Sequence, residues 1–261
     1  MMGMGDEIMV TGQVKRAQQT DPRRVQVVDR DGVPRWHPIW ESNPRIARPG
    51  EQGDFQLLRN GPGARPYIAD KKWRCWTWRA FECTPGEICL TDAERSFAAP
   101  HRPQIVIEPT LKARASPNKH WGTTRWEQFA ALAHQAGYRL TQLGPRGTRP
   151  LPHVALIETP DFRSACAVLA NAQIYIGHEG GLHHAAAAFG IPAVVIFGGF
   201  ISPAQTGYDL HRNLFSGGEP CGMRIPCAHC AAAMAAITPE MVLEQLCSVG
   251  AGFKPARNEC E

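Results

Sequence analysis

The order of apolar and polar positions after residue 103 is regular. Short apolar runs of strand length alternate with longer segments whose apolar residues recur at helical spacing. This alternation predicts an α/β fold with a doubly wound parallel sheet. The predicted strands are residues 104–109, 138–144, 173–177 and 192–198, and the predicted helices are residues 123–137, 162–171, 181–190 and 239–246.

The pattern before residue 103 is weaker. Residues 5–19 carry apolar side chains at helical spacing, and Asp6 and Glu7 suit the positive end of that helix. A short strand, VQVV, follows at residues 25–28. Residues 31–101 are rich in Pro, Gly, Arg and Trp, which favours extended segments joined by turns. The predicted boundary between two lobes lies near residues 99–103, in the sequence AAPHRP.

The composition fits a globular protein with a sizeable core. The 261 residues are 43% hydrophobic and 20% charged, and a net charge of +4 is too small to indicate nucleic-acid binding by itself. The first ten residues lack the basic region of a secretory signal, so we expect a cytoplasmic protein. No transmembrane segment is expected either, because Gly190 and Pro192 interrupt the uncharged stretch between Glu179 and Asp209.

The segment IYIGHEGGLHHAAAAFGIPAVVIFG is the most informative part of the chain. It reads as strand, glycine-bearing turn, helix and strand, and a helix N-terminus after such a strand can bind phosphate through its free amides. Gly180 and Gly181 would let a diphosphate approach the backbone closely. An ordinary helix start with tight-turn glycines explains the same spacing.

The residues of this segment resemble the donor-site motif of the lipopolysaccharide heptosyltransferases. Glu179 stands where that family has an Asp, and the remaining motif positions are Gly180, Gly181, Leu182 and His184. The resemblance implies a GT-B-like fold of two Rossmann-like lobes. Residues 1–102 would form a reduced acceptor-side lobe, and residues 103–261 the lobe that binds a nucleoside-diphosphate sugar.

Two further elements extend the resemblance. SPNKHWGTTRW is similar to the family's Lys-His-Trp element, which implies that Lys119 contacts the donor phosphates. The opening MGDEIMV resembles the family's Gly-Asp turn, which makes Asp6 the implied catalytic base. Taken alone, Lys119 would be a solvated surface residue and Asp6 a carboxylate at the start of a helix.

The chain departs from the family before Asp6. Only four residues precede Gly5, so the strand that normally leads into the Gly-Asp turn is missing or supplied elsewhere. The first lobe is also short. The acceptor therefore stays open and can be a saccharide, a protein or another hydroxyl compound.

Nine cysteines fit reduced thiols or a metal site better than disulfide bonds. Cys221, Cys227 and Cys230 have the spacing of a structural zinc or iron site, with buried free thiols as the alternative. The candidates for a fourth ligand are His229, Cys247, Cys75, Cys83 and Cys89. Catalysis itself is expected to need no cofactor.

The remaining aromatic and basic residues favour structural roles. Five tryptophans before residue 79 are expected to complete a thin core, and His183 is expected to be structural. The run KKWRCWTWR, residues 71–79, gives only a weak indication of nucleic-acid or anionic-polymer binding.

Transfer of a sugar from a nucleoside diphosphate, ADP-heptose or a similar donor, to an acceptor hydroxyl is the leading hypothesis. Asp6 and Lys119 are the predicted catalytic residues. A non-catalytic nucleotide-sugar-binding or assembly module is the alternative from another class. A sugar-nucleotide epimerase of the same architecture is a third.

Overall fold

The structure is a computed structural model that describes residues 3–61, 64–112, 115–216 and 218–250. The helices are α1 (Met4–Ala17), α2 (Asp92–Ala98), α3 (Thr123–Gln135), α4 (Phe162–Leu169), α5 (Gly181–Ala188), α6 (Pro203–Thr206), α7 (Ala228–Ala235) and α8 (Pro239–Val249). The strands are β1 (Val25–Val28), β2 (Gln56–Arg59), β3 (Ile68–Lys71), β4 (Trp76–Trp78), β5 (Ile105–Glu108), β6 (Leu140–Gly144), β7 (Val154–Glu158), β8 (Ile174–His178), β9 (Ala193–Gly198) and β10 (His211–Phe215).

A six-stranded parallel sheet, in the order β10-β9-β8-β5-β6-β7, forms the centre of the second part of the chain. Its middle strands are buried on both faces, so successive residues enter different cores. Along β9, Val194 and Ile196 pack into one apolar cluster, whereas Val195 and Phe197 pack into the other. This two-sided burial explains the nearly continuous apolar runs in the sequence.

The central strands and the helices between them were predicted correctly from the sequence. β7 and β10 were not identified individually, and both lie at the edges of the sheet. An edge strand is covered less completely, and β10 accordingly carries fewer apolar residues, whereas β7 (VALIE) keeps an apolar run that was not assigned to a strand. HRNLF of β10 is mostly half-buried, unlike the fully buried AVVIFG of the neighbouring β9.

The first part of the chain is built differently. β1 and β2 form a parallel pair, and β3 and β4 form an antiparallel hairpin. Helix α1, predicted at residues 5–19 and observed at Met4–Ala17, packs against α5 of the second part. Trp40 completes the core of this first part of the chain. It is fully buried, and its indole N–H donates a hydrogen bond to the Glu7 carbonyl at 2.9 Å. Trp40 therefore fills the thin core as expected, whereas Trp73, which was expected to do the same, is 82% exposed.

The two parts are joined by a half-buried arginine on α4. The Arg163 guanidinium bonds the Glu94 carboxylate of α2 at 2.5 and 2.8 Å and the Cys89 carbonyl at 2.7 Å. These contacts fix the segment before β5 against the central sheet. Among the described residues, no helix has the length and apolarity needed to cross a membrane.

Candidate active site

A cavity lies where the carboxyl ends of β5 and β8 meet the first turn of α1 and the β3–β4 hairpin. Ligand sites of open parallel sheets lie at this edge. Its charged lining residues are Asp6, Arg65, Lys112, Lys119, Glu179, His184 and Arg224, and its aromatic lining residues are Tyr67, Trp76, Trp78 and Phe200. The cavity therefore brings together residues from both ends of the chain.

Helix α1 approaches α5 closely because residue 5 is glycine. A Cβ atom at Gly5 would lie 2.5 Å from Cδ2 of His184, which no side chain can accommodate without movement. Gly5 also lies near Gly181, at the start of α5. The glycine thus allows the neighbouring Asp6 to reach the same cavity as the glycine-bearing turn.

Glu179 is the buried anion of the turn between β8 and α5. Its carboxylate pairs with the Lys119 ammonium and lies 3.6 Å from Nε2 of His184. Burial opposes the ionised form, but these two cations outweigh it and hold the pKa of Glu179 well below its usual range. Glu179 is therefore an ionised carboxylate between two positive groups.

His184 is held from both sides. Its Nδ1 atom lies 2.8 Å from the Tyr208 hydroxyl, and its other nitrogen faces Glu179. Burial alone would lower the pKa of His184, but hydrogen bonds to Cys83 and Glu179 raise it to about 9. His184 is consequently a cation at neutral pH. Its neighbour His183 is fully buried, and burial keeps its pKa well below the usual range, as suits a structural residue.

Lys119 lies at the end of a short 3-10 helix, Pro117–Lys119, that follows β5. The residues after it are fixed by Trp121, whose backbone N–H donates to Nε2 of the buried His178 at 3.0 Å. The Trp121 indole also donates to the Ile237 carbonyl at 2.7 Å. The Lys119 ammonium then lies 5.3 Å from the Phe200 ring centre, within cation–π range.

Asp6 is tied to residues that the sequence did not single out. Its Oδ2 atom accepts a bond from Arg65 at 2.8 Å, and its Oδ1 atom accepts one from the Tyr67 hydroxyl at 2.7 Å. Burial, followed by the Asp6 charge, raises the pKa of Tyr67 well above its usual value, so this phenol stays protonated. Asp6 is thereby an oriented carboxylate at the cavity wall.

Several lining residues were missed because they belong to no motif. Arg65 and Tyr67 lie just before β3 of the β3–β4 hairpin, and Lys112 lies in the loop after β5. Burial lowers the pKa of Lys112, although Asp6 partly offsets this effect. Glu108, at the end of β5, lines the adjoining part of the cavity. The position of Glu108 at a strand's carboxyl end was the one available sequence signal.

Leu182 differs from the other donor-motif residues. Its side chain is 5% exposed and lies in the apolar core beneath α5. Its contribution in this structure is packing of the helix rather than a polar contact at the cavity.

The three predicted cysteines lie together beside α7. Cys221 Sγ is 3.1 Å from Cys230 Sγ and 3.7 Å from Cys227 Sγ, and His229 Nδ1 is 3.9 Å from Cys230 Sγ. The ligand atoms of all four residues lie within 4.8 Å of one another. A tetrahedral ion with bonds of about 2.3 Å separates its sulfur ligands by roughly 3.7 Å, so this donor set fits one.

The other candidate ligands have different surroundings. Cys247, on α8, lies 3.5 Å from the Tyr138 hydroxyl, and Cys83 contacts His184. The Cys75 thiol donates to the Cys221 carbonyl at 3.2 Å. Of the proposed fourth ligands, His229 is the one that lies in the cysteine cluster.

The cysteine-bearing loop also joins both walls of the cavity. Gly222 has a φ of +64°, and a Cβ atom there would lie 1.8 Å from the Trp76 carbonyl of the hairpin. On the other side, the Asn118 amide donates to the carbonyls of Met223 and Ile225, both at 2.7 Å. The loop therefore links the hairpin to the segment that carries Lys119.

Comparison with known proteins places this architecture in a family. The sequence profile of Glycosyltransferase family 9 (heptosyltransferase) matches residues 85–221, just over half of the chain. No curated protein sequence matches the chain significantly.

Solved structures share the fold at low sequence identity. The E. coli heptosyltransferase WaaC with ADP aligns over 98% of this chain and 97% of its own, with a TM-score of 0.53 and 14% identity. The iron-containing dodecameric glycosyltransferase TibC from enterotoxigenic E. coli aligns over 96% of this chain and 74% of its own, with a TM-score of 0.61 and 15% identity.

A third solved structure is matched over a shorter length. The E. coli ADP-heptose lps heptosyltransferase II aligns over 66% of this chain and 55% of its own, with a TM-score of 0.50 and 19% identity. These likenesses show that the chain has the α/β fold of the heptosyltransferase structures. The family profile also covers more than half of the residues of this chain. The chain therefore belongs to glycosyltransferase family 9, the heptosyltransferase family.

Proposed function

We propose that the protein transfers a sugar from a nucleoside diphosphate to an acceptor hydroxyl, with ADP-heptose or a similar nucleotide sugar as donor. The observation that carries this proposal is the meeting of Asp6, Lys119, Glu179 and His184 at the N-terminus of α5, around one cavity. A base can take the acceptor proton, and cations and free helix amides can stabilise the leaving diphosphate.

The cavity has the charge expected for a diphosphate. Asp6 and Glu179 are matched by Arg65 and Lys119, and the positive His184 and the N-terminus of α5 add to the positive side. In this proposal Lys119 and the amides of Gly180 and Gly181 hold the diphosphate. They would stabilise the negative charge that develops as the nucleoside diphosphate leaves.

Asp6 supplies the base in the proposed reaction. The acceptor oxygen would attack the anomeric carbon while its proton passes to the Asp6 carboxylate. The bond between that carbon and the donor phosphate oxygen would break, and its electron pair would leave with the nucleoside diphosphate. Arg65 and Tyr67 orient Asp6 from the side of the hairpin.

ADP-heptose is the first donor to test because two of the compared structures are described with it or with ADP. One is an ADP-heptose lps heptosyltransferase, and WaaC was solved with ADP. Glu179 in place of the family's Asp has a longer arm, so the sugar is the part of the donor that the panel of donors must identify. For the acceptor, the proposal specifies only a compound with a free hydroxyl.

A panel of nucleotide sugars tests this proposal by thermal unfolding and by product analysis. Binding at a hundredfold excess over Kd stabilises a protein by about 2.7 kcal/mol, which gives a clear rise in melting temperature. We expect a rise with ADP-heptose that Lys119→Ala reduces and the exposed control Lys72→Ala does not. Binding with neither transfer nor hydrolysis would favour the binding module, and a rearranged free nucleotide sugar would favour the epimerase.

For the cysteine cluster, we propose a structural zinc or iron ion held by Cys221, Cys227, Cys230 and His229. Support comes from the distances between their ligand atoms and from TibC, which is described as iron-containing. Such an ion would contribute folding free energy by holding the loop that joins the hairpin to the Lys119 segment.

Elemental analysis of protein prepared without chelator tests this second proposal. We expect about one zinc or iron ion per chain, lost in Cys227→Ser and kept in Cys247→Ser, whose thiol lies on α8. Protein free of both metals, or metal retained by Cys227→Ser, would contradict it.

A further inference from the structure

The adjoining part of the cavity contains a carboxyl group that the proposed mechanism does not use. Glu108 is the last residue of β5, and its side chain lines a compartment of about 250 Å³ beside the glycine-bearing turn. Lys112, Lys119, Glu179 and Phe162 line the same compartment. This volume is several times the share of one water molecule and accepts a phosphate group.

Glu108 is oriented toward the turn by a tyrosine. The Tyr175 hydroxyl donates to its Oε2 atom at 2.6 Å. A methyl group on Gly180 would lie 4.0 Å from that same oxygen, so the carboxyl group stands beside the backbone at the start of α5. Any phosphate bound by those amides would come close to Glu108.

The groups that face Glu108 are of both signs. On β8 and the turn after it these are Tyr175, His178 and Glu179, and on the loop after β5 they are Lys112 and Lys119. Burial is the largest influence and, with the Glu179 charge, raises the pKa of Glu108 to about 7. The Tyr175 hydrogen bond and the two lysines act in the opposite direction. The carboxyl group therefore changes its protonation state near neutral pH.

We propose that Glu108 is a donor-binding residue in its neutral form, in which the carboxylic acid donates a hydrogen bond to a diphosphate oxygen of the nucleotide sugar. This inference rests on the proposed function, since it assumes a diphosphate at the start of α5. An ionised Glu108 in the same place would repel the diphosphate. Above the pKa of Glu108, donor binding would then transfer a proton from the buffer to the Glu108 carboxylate, and the covalent bonds of the nucleotide sugar would stay unchanged.

A structural carboxyl group makes different predictions. If Glu108 only packs against Tyr175, donor affinity does not depend on its protonation. If ionised Glu108 accepts hydrogen bonds from ribose hydroxyls, affinity rises with pH instead of falling. The direction of the pH dependence thus separates the three roles.

Calorimetric titration with ADP-heptose between pH 6 and pH 8 tests the proposal. A nucleotide sugar is suitable because its diphosphate is esterified at both ends and does not titrate in this range. We expect Kd to increase about tenfold from pH 6 to pH 8, since the neutral fraction of a group with a pKa of about 7 falls by that factor. Titrations in two buffers of different ionisation heat should show proton uptake at pH 8.

Two variants sharpen the measurement. Glu108→Gln keeps a hydrogen-bond donor without a titrating proton, so its affinity should match that of the wild type at pH 6 and stay constant up to pH 8. Tyr175→Phe removes a bond to the ionised form, so the weakening should move to higher pH. The range ends at pH 8 because His184, with a pKa of about 9, begins to lose its charge above it.

Failure of this inference differs from failure of the proposed function. Absence of nucleotide-sugar binding at every pH would overturn the transferase proposal itself. Binding that is constant from pH 6 to pH 8, that strengthens with pH, or that keeps its pH dependence in Glu108→Gln would overturn the role of Glu108 alone. The proton-uptake measurement needs only the wild-type protein, so a variant that fails to fold does not leave the question open.

Discussion

The two walls of the cavity are built by different means. The donor-side wall comes from one strand–turn–helix unit, β8 to α5, whose chemical groups are close in sequence: Glu179, Gly180, Gly181 and His184. The opposite wall is assembled from distant segments, with Asp6 on α1 held by Arg65 and Tyr67, which lie just before the hairpin and about sixty residues away. One wall rests on backbone geometry, the other on side-chain contacts.

This difference separates the expected consequences of mutation. On the donor side, the parallel sheet fixes the helix start, so one substitution removes one contact and leaves the frame intact. On the opposite side, Asp6 is oriented by two long-range hydrogen bonds, so its function depends on residues that no local pattern specifies. We expect donor binding to be divided among several groups and proton abstraction to depend on one.

Asp6→Asn should produce the largest functional effect. The amide keeps the shape of the side chain but cannot take the acceptor proton, so turnover should fall by about 10² or more while donor affinity stays near that of the wild type. Steady-state kinetics and calorimetry on the same preparation check both parts. Asp70→Asn, on the exposed part of the hairpin, is the control.

Near-normal turnover of Asp6→Asn would place the base elsewhere. An equal loss of donor binding would make Asp6 a structural residue of the cavity. Donor binding would then depend on both walls of the cavity and not on the donor side alone.

The second effect concerns stability at acidic pH and is expected in the half that carries the sheet. Burial lowers the pKa of His178 to about 3, and the folded state therefore binds fewer protons than the unfolded state below the usual histidine value of about 6.5. The contribution of neutral His178 to the free energy of unfolding is therefore present above pH 6.5 and is lost as pH falls below it. Between pH 6.5 and pH 5 the loss is about 2 kcal/mol for this residue.

His178→Gln isolates that contribution, because the glutamine oxygen can accept the Trp121 N–H bond without becoming charged. Urea unfolding at pH 7 and pH 5 should show the variant gaining about 2 kcal/mol relative to the wild type on acidification. The control is His101→Gln, at a partly exposed position before the sheet. A parallel pH response of wild type and His178→Gln would exclude a neutral, buried role for His178.

Lys119→Ala should have a smaller effect, of about tenfold, on donor affinity or turnover. One charge-assisted contact contributes roughly 1.5 to 3 kcal/mol, and the lost Lys119 charge leaves Glu179 with His184 alone. Donor titration with Lys72→Ala as control measures the change. Unchanged binding and kinetics would make Lys119 a structural partner of Glu179 rather than a donor ligand.

The same contrast explains what the sequence could predict. The central strands, α5 and the grouping of Glu179 with His184 follow from local periodicity and a contiguous motif. Arg65, Tyr67 and Glu108 could not be assigned, because their roles arise from contacts across long stretches of chain or from burial at a strand end. Edge strand β10 was missed because a half-covered strand loses the apolar pattern of the interior, whereas β7 (VALIE) keeps an apolar run that was not assigned to a strand.

The smallest expected effect lies in the hairpin itself and concerns Trp73. Its side chain is 82% exposed, whereas Trp76 and Trp78 of the following strand pack against Phe200 with ring centres 6.3 and 5.3 Å away. Trp73→Ala should therefore change the free energy of unfolding by less than about 0.5 kcal/mol, as is usual for surface positions. Trp78→Ala, which removes a ring from the cavity wall, should destabilise the protein several times more. Urea unfolding of both variants checks the difference, and donor affinity measured in parallel should be unchanged in Trp73→Ala. A loss of stability in Trp73→Ala comparable to that of Trp78→Ala would mean that Trp73 also packs against the protein. The hairpin would then be held by contacts on more than the side that faces Phe200.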